Sequence, residues 1–361
     1  MKSPEQLKQQ QSEDKVREII HEETAVFFDG MSMFFAFVGA MEFGFLYTTI
    51  VGMVLMVYAF NEMMSLRARK DKESQIQIKS QWIEWYFFIS FNYFCMGKTW
   101  MTPQRLHDSG IGLQPYSLAY VFLIKHHALC SFMLHTFGII FFVYSLQEGY
   151  YFYQVQRFGQ TLAFTLIIVT AFHGHLTGLW KCRIWFIFTL TTIALRNAVE
   201  YLVEKYCPFR TKIYDLKPKA TMEGFIAGVL TALIVNFTIG TALLKSEWAR
   251  AQPTVFTLIP FDRSSYTLAE DDIFIIYDQQ FNLGPLGQFV LSYSRIQIYL
   301  FVLTLFIAFI SPFGGFAIAG MKRALRSKEK RDMKHGQVID RLDCILLVGF
   351  FMCLFIHKVV Y

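Results

Sequence analysis

The chain has 361 residues, of which 54% are hydrophobic, 17% aromatic and 17% charged, with a formal net charge of +6; its mean hydropathy is +0.35. Soluble domains are about 45–50% apolar and about 25% charged, so the composition excludes an ordinary soluble fold. The basic residues lie in short segments between apolar runs, which excludes nucleic acid as a partner. The six cysteines, Cys95, Cys130, Cys182, Cys207, Cys344 and Cys353, form no CxxC pair and no metal-like spacing.

Residues 1–24, MKSPEQLKQQQSEDKVREIIHEET, are polar and mixed in charge. They lack the basic-then-apolar layout of a secretory signal and read as a surface helix or tail outside the membrane. Residues 25–361 read as one transmembrane unit. A bilayer-crossing helix needs roughly 20 apolar residues, and the hydropathy pattern gives about nine spans. The first five are Ala25–Ala40, Phe43–Met64, Trp82–Met96, His127–Leu146 and Phe158–Leu176. The last four are Ile184–Val203, Phe225–Leu244, Ile296–Ala319 and Cys344–Val360. The fold class expected is an all-α polytopic membrane helix bundle.

Basic loops mark the cytoplasmic-type face. They follow the second span (Arg67, Arg69, Lys70), the sixth (Lys205, Arg210, Lys212, Lys217, Lys219) and the eighth (Lys322, Arg323, Arg326, Lys328). This places the N-terminus inside, with the acid-bearing segment 245–295 as an extramembrane loop on the opposite face. His173 and His175 resemble a chelate by type, but residues two apart point to opposite faces of a helix; they read as polar packing.

Two stretches carry the chemistry. The first is SPFGGFAIAGMKRALRSKEKRDMKHGQVIDRLDC, Ser311–Cys344, where a dense basic segment runs into His335 and the acid pair Asp340 and Asp343. The second, LKPKATMEGFIAG, Leu216–Gly228, follows the sixth span. Cations and carboxylates gathered at one membrane face suit a phosphorylated, metal-bound substrate.

Together these stretches resemble the signatures of the eukaryotic-type phosphatidate cytidylyltransferases, or CDP-diacylglycerol synthases. That family's pattern runs Gly-Pro-Phe-Gly-Gly, Ser-Gly-Phe-Lys-Arg, Gly-His-Gly-Gly and Asp-Arg-Phe-Asp, with an earlier Ser-Pro-Lys-Lys-Thr-Trp-Glu-Gly-Phe. The resemblance implies a reaction of CTP with phosphatidate, giving CDP-diacylglycerol and pyrophosphate with Mg2+. It implies Asp340 and Asp343 as metal-side acids, and Lys219, Lys322, Arg323 and the nearby Lys328 as phosphate or headgroup clamps. Glu223 and His335 would be polar residues of the site.

The departures fall on the chemistry. In the sixth span, where the family has an Asn-Asp pair with a metal-binding aspartate, this chain has Arg196 and Asn197. Glu200 lies four residues on, placed to pair with Arg196. Lys217 and Ala220 replace a serine and a lysine, Ala319 a serine, Glu329 an aspartate, and Gln337 a glycine. The expectation is a catalytically degenerate relative, with no resident cofactor, that binds an anionic phospholipid. Its expected role is an accessory subunit among other membrane-protein subunits, in the mitochondrial inner membrane in preference to the endoplasmic reticulum. The alternative is an active phosphatidate cytidylyltransferase using Mg2+.

Overall fold

The structure is a computed structural model. It describes residue 32 and residues 34–67, 80–100, 118–207, 211, 213, 220–253, 266–269, 272–282, 288–325 and 338–360; the side chains of residues 66, 67, 98–100, 118–121, 253, 278–282, 288–292, 322, 323, 325, 340, 341, 359 and 360 lie outside the description. The expected tail 1–24 therefore falls outside the described residues, as does the start of the expected first span.

The first described helix, α1, is Phe34–Phe43. Gly44, at φ 130°, separates it from α2, Phe45–Arg67; a side chain is strained at that φ. Next come α3 (Ser80–Trp100), α4 (Leu118–Lys125), α5 (His127–Tyr144), α6 (Tyr151–Lys181) and α7 (Arg183–Tyr206). Helix α8 (Met222–Val235) continues through a π-helical turn, Asn236–Gly240, into α9 (Thr241–Lys245). The last helices are α10 (Arg295–Phe309), α11 (Ser311–Leu325) and α12 (Val338–Phe355), which ends in a π-helical turn, Ile356–Val360. Among the described residues, six helical stretches are long and apolar enough to cross a membrane by length and composition. The belt of exposed Phe132, Phe137, Val143, Phe152, Ile234 and Phe237 is the surface a helical membrane protein turns to lipid.

Helix α6 organises the bundle. From Phe164 to Trp180 it is almost continuously buried, packed against α2, α3, α7 and α12. Its closest partner is α12. A Cβ added at Gly174 would overlap the carbonyl oxygen of Gly349, and one at Gly349 would overlap that of Ala171. Small residues that let two backbones touch are the usual membrane packing device. Helix α7 folds back beside α6, so that the His175 ring meets Phe186 edge-on at 6.3 Å.

Two expectations are corrected. The fifth span begins at Tyr151, seven residues before the apolar run, because its polar residues are satisfied internally. Gln154 Nε2 donates to the Ser145 carbonyl at 2.9 Å, and Arg157 Nε donates to Glu84 Oε1 on α3 at 2.6 Å. The eighth span is two helices, broken at Ile310 ahead of Pro312, whose ring nitrogen has no proton to donate. The all-α bundle is the fold class expected; beside it, segment 245–295 carries two antiparallel strand pairs, β1 (Ala251–Pro253) with β2 (Tyr266–Leu268) and β3 (Ile276–Asn282) with β4 (Gln288–Ser294).

The first hairpin is fastened to the bundle through a buried cation. Arg183 Cζ, at the head of α7, lies 4.5 Å from the Phe45 ring centroid, 4.9 Å from Tyr266 and 5.4 Å from Trp248. Three chain segments thus converge on one guanidinium. Desolvated cation–π contacts are worth about 2 kcal/mol or more. Arg183→Leu is therefore expected to lower the thermal midpoint in detergent by several degrees, with Arg183→Lys retaining part of the loss. An unchanged midpoint in Arg183→Leu would mean that the rings do not hold the cap.

Candidate functional site

The site is built on the antiparallel pair α7 and α8. Thr221 caps α8, its Oγ1 accepting from the Gly224 amide at 3.1 Å, in the manner that frees a helix start from unsatisfied donors. Glu223, in the first turn, ties down the preceding loop: its Oε1 accepts from the Thr211 hydroxyl at 2.7 Å and its Oε2 from the Thr211 amide at 3.2 Å. Glu204 Oε1 accepts from the Thr221 amide at 3.3 Å. Glu223 thus acts as a loop clasp, a role the sequence does not announce.

Gly224 and Gly228 form a one-turn stripe on α8 facing α7. A Cβ at Gly224 would lie 2.9 Å from Glu204 Cγ, and one at Gly228 would lie 3.2 Å from Arg196 Cγ. These glycines leave room for long polar side chains to run between the helices. Arg196 fills that room and is 0% exposed. Its Nη1 donates to Glu200 Oε2 at 2.6 Å and to Asn197 Oδ1 at 2.9 Å, so the pairing expected from the i,i+4 spacing forms. Among the described residues, its Nε and Nη2 have no hydrogen-bond partner.

The second part of the site is the head of α12. Asp343 is 8% exposed, and its Oδ1 accepts from the Cys344 amide at 2.6 Å. Helix α11 presses on this turn: a Cβ at Gly314 would lie 2.5 Å from the Asp343 carbonyl oxygen. Glu62 of α2, missed in the sequence, accepts from the Ile339 amide at 3.0 Å, placing a carboxylate where the helix dipole favours one. Asp340 lies in the first turn of α12, and Lys322 and Arg323 lie near the end of α11; these three are described as backbone only. Lys219, Lys328 and His335 lie outside the described residues. Helices α7 and α12 meet deeper in the bundle, where Thr189 Oγ1 stands 3.1 Å from Met352 Sδ.

The two histidines of α6 are separated. His175 Nε2 is 2.9 Å from the Ile345 carbonyl oxygen, while the His173 ring stacks at 6.1 Å on His357. Among the described residues, no three of His, Cys, Asp and Glu converge as a metal-ligand group.

The divalent cation that the resemblance implies does not fit the α7 position. A cation about 4 Å from a guanidinium is repelled by about 4 kcal/mol per unit charge at an effective dielectric near 20. Glu200 can offset this but is already engaged by Arg196, so the pair offers a metal no net attraction.

Fold and site define a polytopic helical membrane protein with a buried polar cluster between two of its helices. Residues 25–359 match the cytidylyltransferase family, and the chain belongs to that family. It is 30% identical over 281 residues to phosphatidate cytidylyltransferase 1 of Rattus norvegicus, covering 76% of this chain and 59% of that protein. It is 30% identical over 288 residues to phosphatidate cytidylyltransferase of Caenorhabditis elegans, with the same coverage of 76% and 59%. With phosphatidate cytidylyltransferase 2 of Homo sapiens it shares 28% identity over 281 residues, covering 76% and 61%. The chain thus spans about three-fifths of the length of these curated relatives.

Proposed function

We propose that this chain is a non-catalytic member of the cytidylyltransferase family that holds an anionic phospholipid and serves as an accessory subunit of a larger membrane assembly. The observation that carries this reading is the buried Arg196–Glu200 pair, 2.6 Å long, beside Asn197, which stands where the family motif supplies a metal-binding aspartate. Nucleotidyl transfer to a phosphate needs a cation to neutralise the charge developing on the phosphate oxygens. Here a neutral amide, Asn197, stands in place of the aspartate, and the adjacent fixed guanidinium is neutralised by a carboxylate from its own helix.

The remaining charges suit binding. Lys219, Lys322, Arg323 and Lys328 are the proposed headgroup clamps, on the inner face set by the basic loops; each is a donor to phosphate oxygens. Asp340 and Asp343 would coordinate a metal only if one is retained at the head of α12. His335 is a remnant of the family motif. The host assembly is read as one of the mitochondrial inner membrane rather than the endoplasmic reticulum, a reading that rests on the lineage alone.

The second reading is an active phosphatidate cytidylyltransferase, favoured by the family match across residues 25–359 and by the similarity to phosphatidate cytidylyltransferases. The assay that decides is direct. Purified protein in phosphatidate-containing nanodiscs, given CTP and Mg2+, is expected to form no CDP-diacylglycerol above a protein-free blank, beside a relative that turns over. Turnover abolished by Asp343→Asn would replace the first reading with the second. For the accessory role, native extraction is expected to recover the chain in a large complex; a solitary monomer or dimer counts against it.

A further inference from the structure

The guanidinium of Arg196 is only half used. Nη1 carries both of its hydrogen bonds, to Glu200 at 2.6 Å and Asn197 at 2.9 Å. The opposite edge, formed by Nε and Nη2, has no partner among the described residues although the side chain is fully buried. Buried donors are rarely left unpaired, and a guanidinium cannot shed its charge to escape the cost. That edge is also the geometry that meets two oxygens of a phosphate side-on. Gly228 of α8 stands close against the guanidinium: a Cβ there would lie 3.2 Å from Cγ and 3.4 Å from both Cζ and Nη2, so the absence of a side chain at 228 is what gives the edge its clearance.

We propose that the Nε–Nη2 edge of Arg196 is a metal-independent phosphate contact, receiving a phosphate monoester in the seam between α7 and α8. It rests on the phosphate-binding half of the proposed function and does not depend on whether catalysis is lost. The permanent cation takes over the neutralising role that a divalent ion would fill. Glu200 sits on the far side of the guanidinium, where it orients the group without occupying the phosphate edge. The seam opens along α7 from the fully buried Arg196 through Glu200, whose side chain is 17% exposed, to the exposed Tyr206. A lipid headgroup and a soluble phosphate would both reach it from that end.

The test is thermal protection and native mass spectrometry of the full chain in EDTA. The added probes are phosphatidate, diacylglycerol or inorganic phosphate, each offered to wild type, Arg196→Lys and Gly228→Val. Lysine keeps the charge and the pairing with Glu200 but loses the two-donor edge; valine crowds that edge from α8. Phosphatidate is expected to protect wild type without Mg2+, diacylglycerol not to, and both variants to bind phosphatidate at least tenfold more weakly. Protection by phosphatidate alone assigns the site to a lipid headgroup, and equal protection by inorganic phosphate assigns it to a soluble phosphate. Folding of each variant is checked by gel filtration and by its midpoint without ligand. Wild-type affinity in a folded Arg196→Lys variant, or binding that EDTA abolishes, overturns the inference while leaving phosphate binding by the basic segments standing. Absence of any phosphatidate or phosphate binding by wild type overturns both.

Discussion

Replacing Glu84 by leucine is expected to destabilise the bundle by about 3–5 kcal/mol, the cost of stranding one partner of a buried ion pair. Glu84 and Arg157 are 3% and 4% exposed, and the Arg157 Nε to Glu84 Oε1 distance is 2.6 Å. The pair joins α3 to α6 where a cavity lined by Ser80, Ile83, Phe142, Ser145, Gln154 and Thr161 adjoins both charges. Arg157 also donates to the Tyr153 hydroxyl at 3.1 Å, which does not neutralise it. The double replacement Glu84→Leu with Arg157→Met is expected to recover most of the loss, because two apolar side chains of similar volume carry no desolvation penalty. Thermal midpoints of the two single variants and the double, in one detergent, form the cycle. Additive losses in the double variant would show that the two residues act separately.

A single methyl group at Gly174 is expected to have a comparable effect through packing alone. Its Cβ would overlap the Gly349 carbonyl oxygen and lie 2.7 Å from the Cys353 amide nitrogen. Overpacking usually costs about 1–3 kcal/mol, but that range assumes side chains that can turn aside, whereas here backbone is struck on a second helix. Helix α12 must then lift off α6, weakening the approach of His175 to the Ile345 carbonyl at 2.9 Å. Gly174→Ala is expected to fall at or above the top of the range, with loss of a monodisperse gel-filtration peak. Gly159→Ala is the control, since a Cβ there meets nothing within 4 Å; equal midpoints for the two variants would rule out the close crossing.

Glycine in a membrane helix reads only as a small residue until the partner is known, and nothing in HGH or VGF marks Gly174 and Gly349 as facing one another. Arg196 and Glu200 were legible together, because four residues make one helical turn and both lie on α7. Gly224 and Gly228, which make the room for that cluster, belong to a different helix and came out only on folding. Glu84 and Arg157 are 73 residues apart, too far for any helical spacing to pair them. Glu62 and the amide of Ile339 are 277 apart, and no local pattern couples them.

What the sequence determined by itself is the solvent and the lineage. A chain that is 54% hydrophobic and broken by basic loops can satisfy its backbone in a bilayer as helices, and the ordered motifs from Leu216 to Asp343 carry the family. The hairpins of segment 251–294 were hidden because short strands outside the bilayer leave no hydropathy signal. Tertiary structure alone decided that Arg196 is fully buried with one edge engaged and one edge open. The reason is physical: a guanidinium has a fixed charge wherever it lies, but which of its five donors are used depends on the helices that close around it.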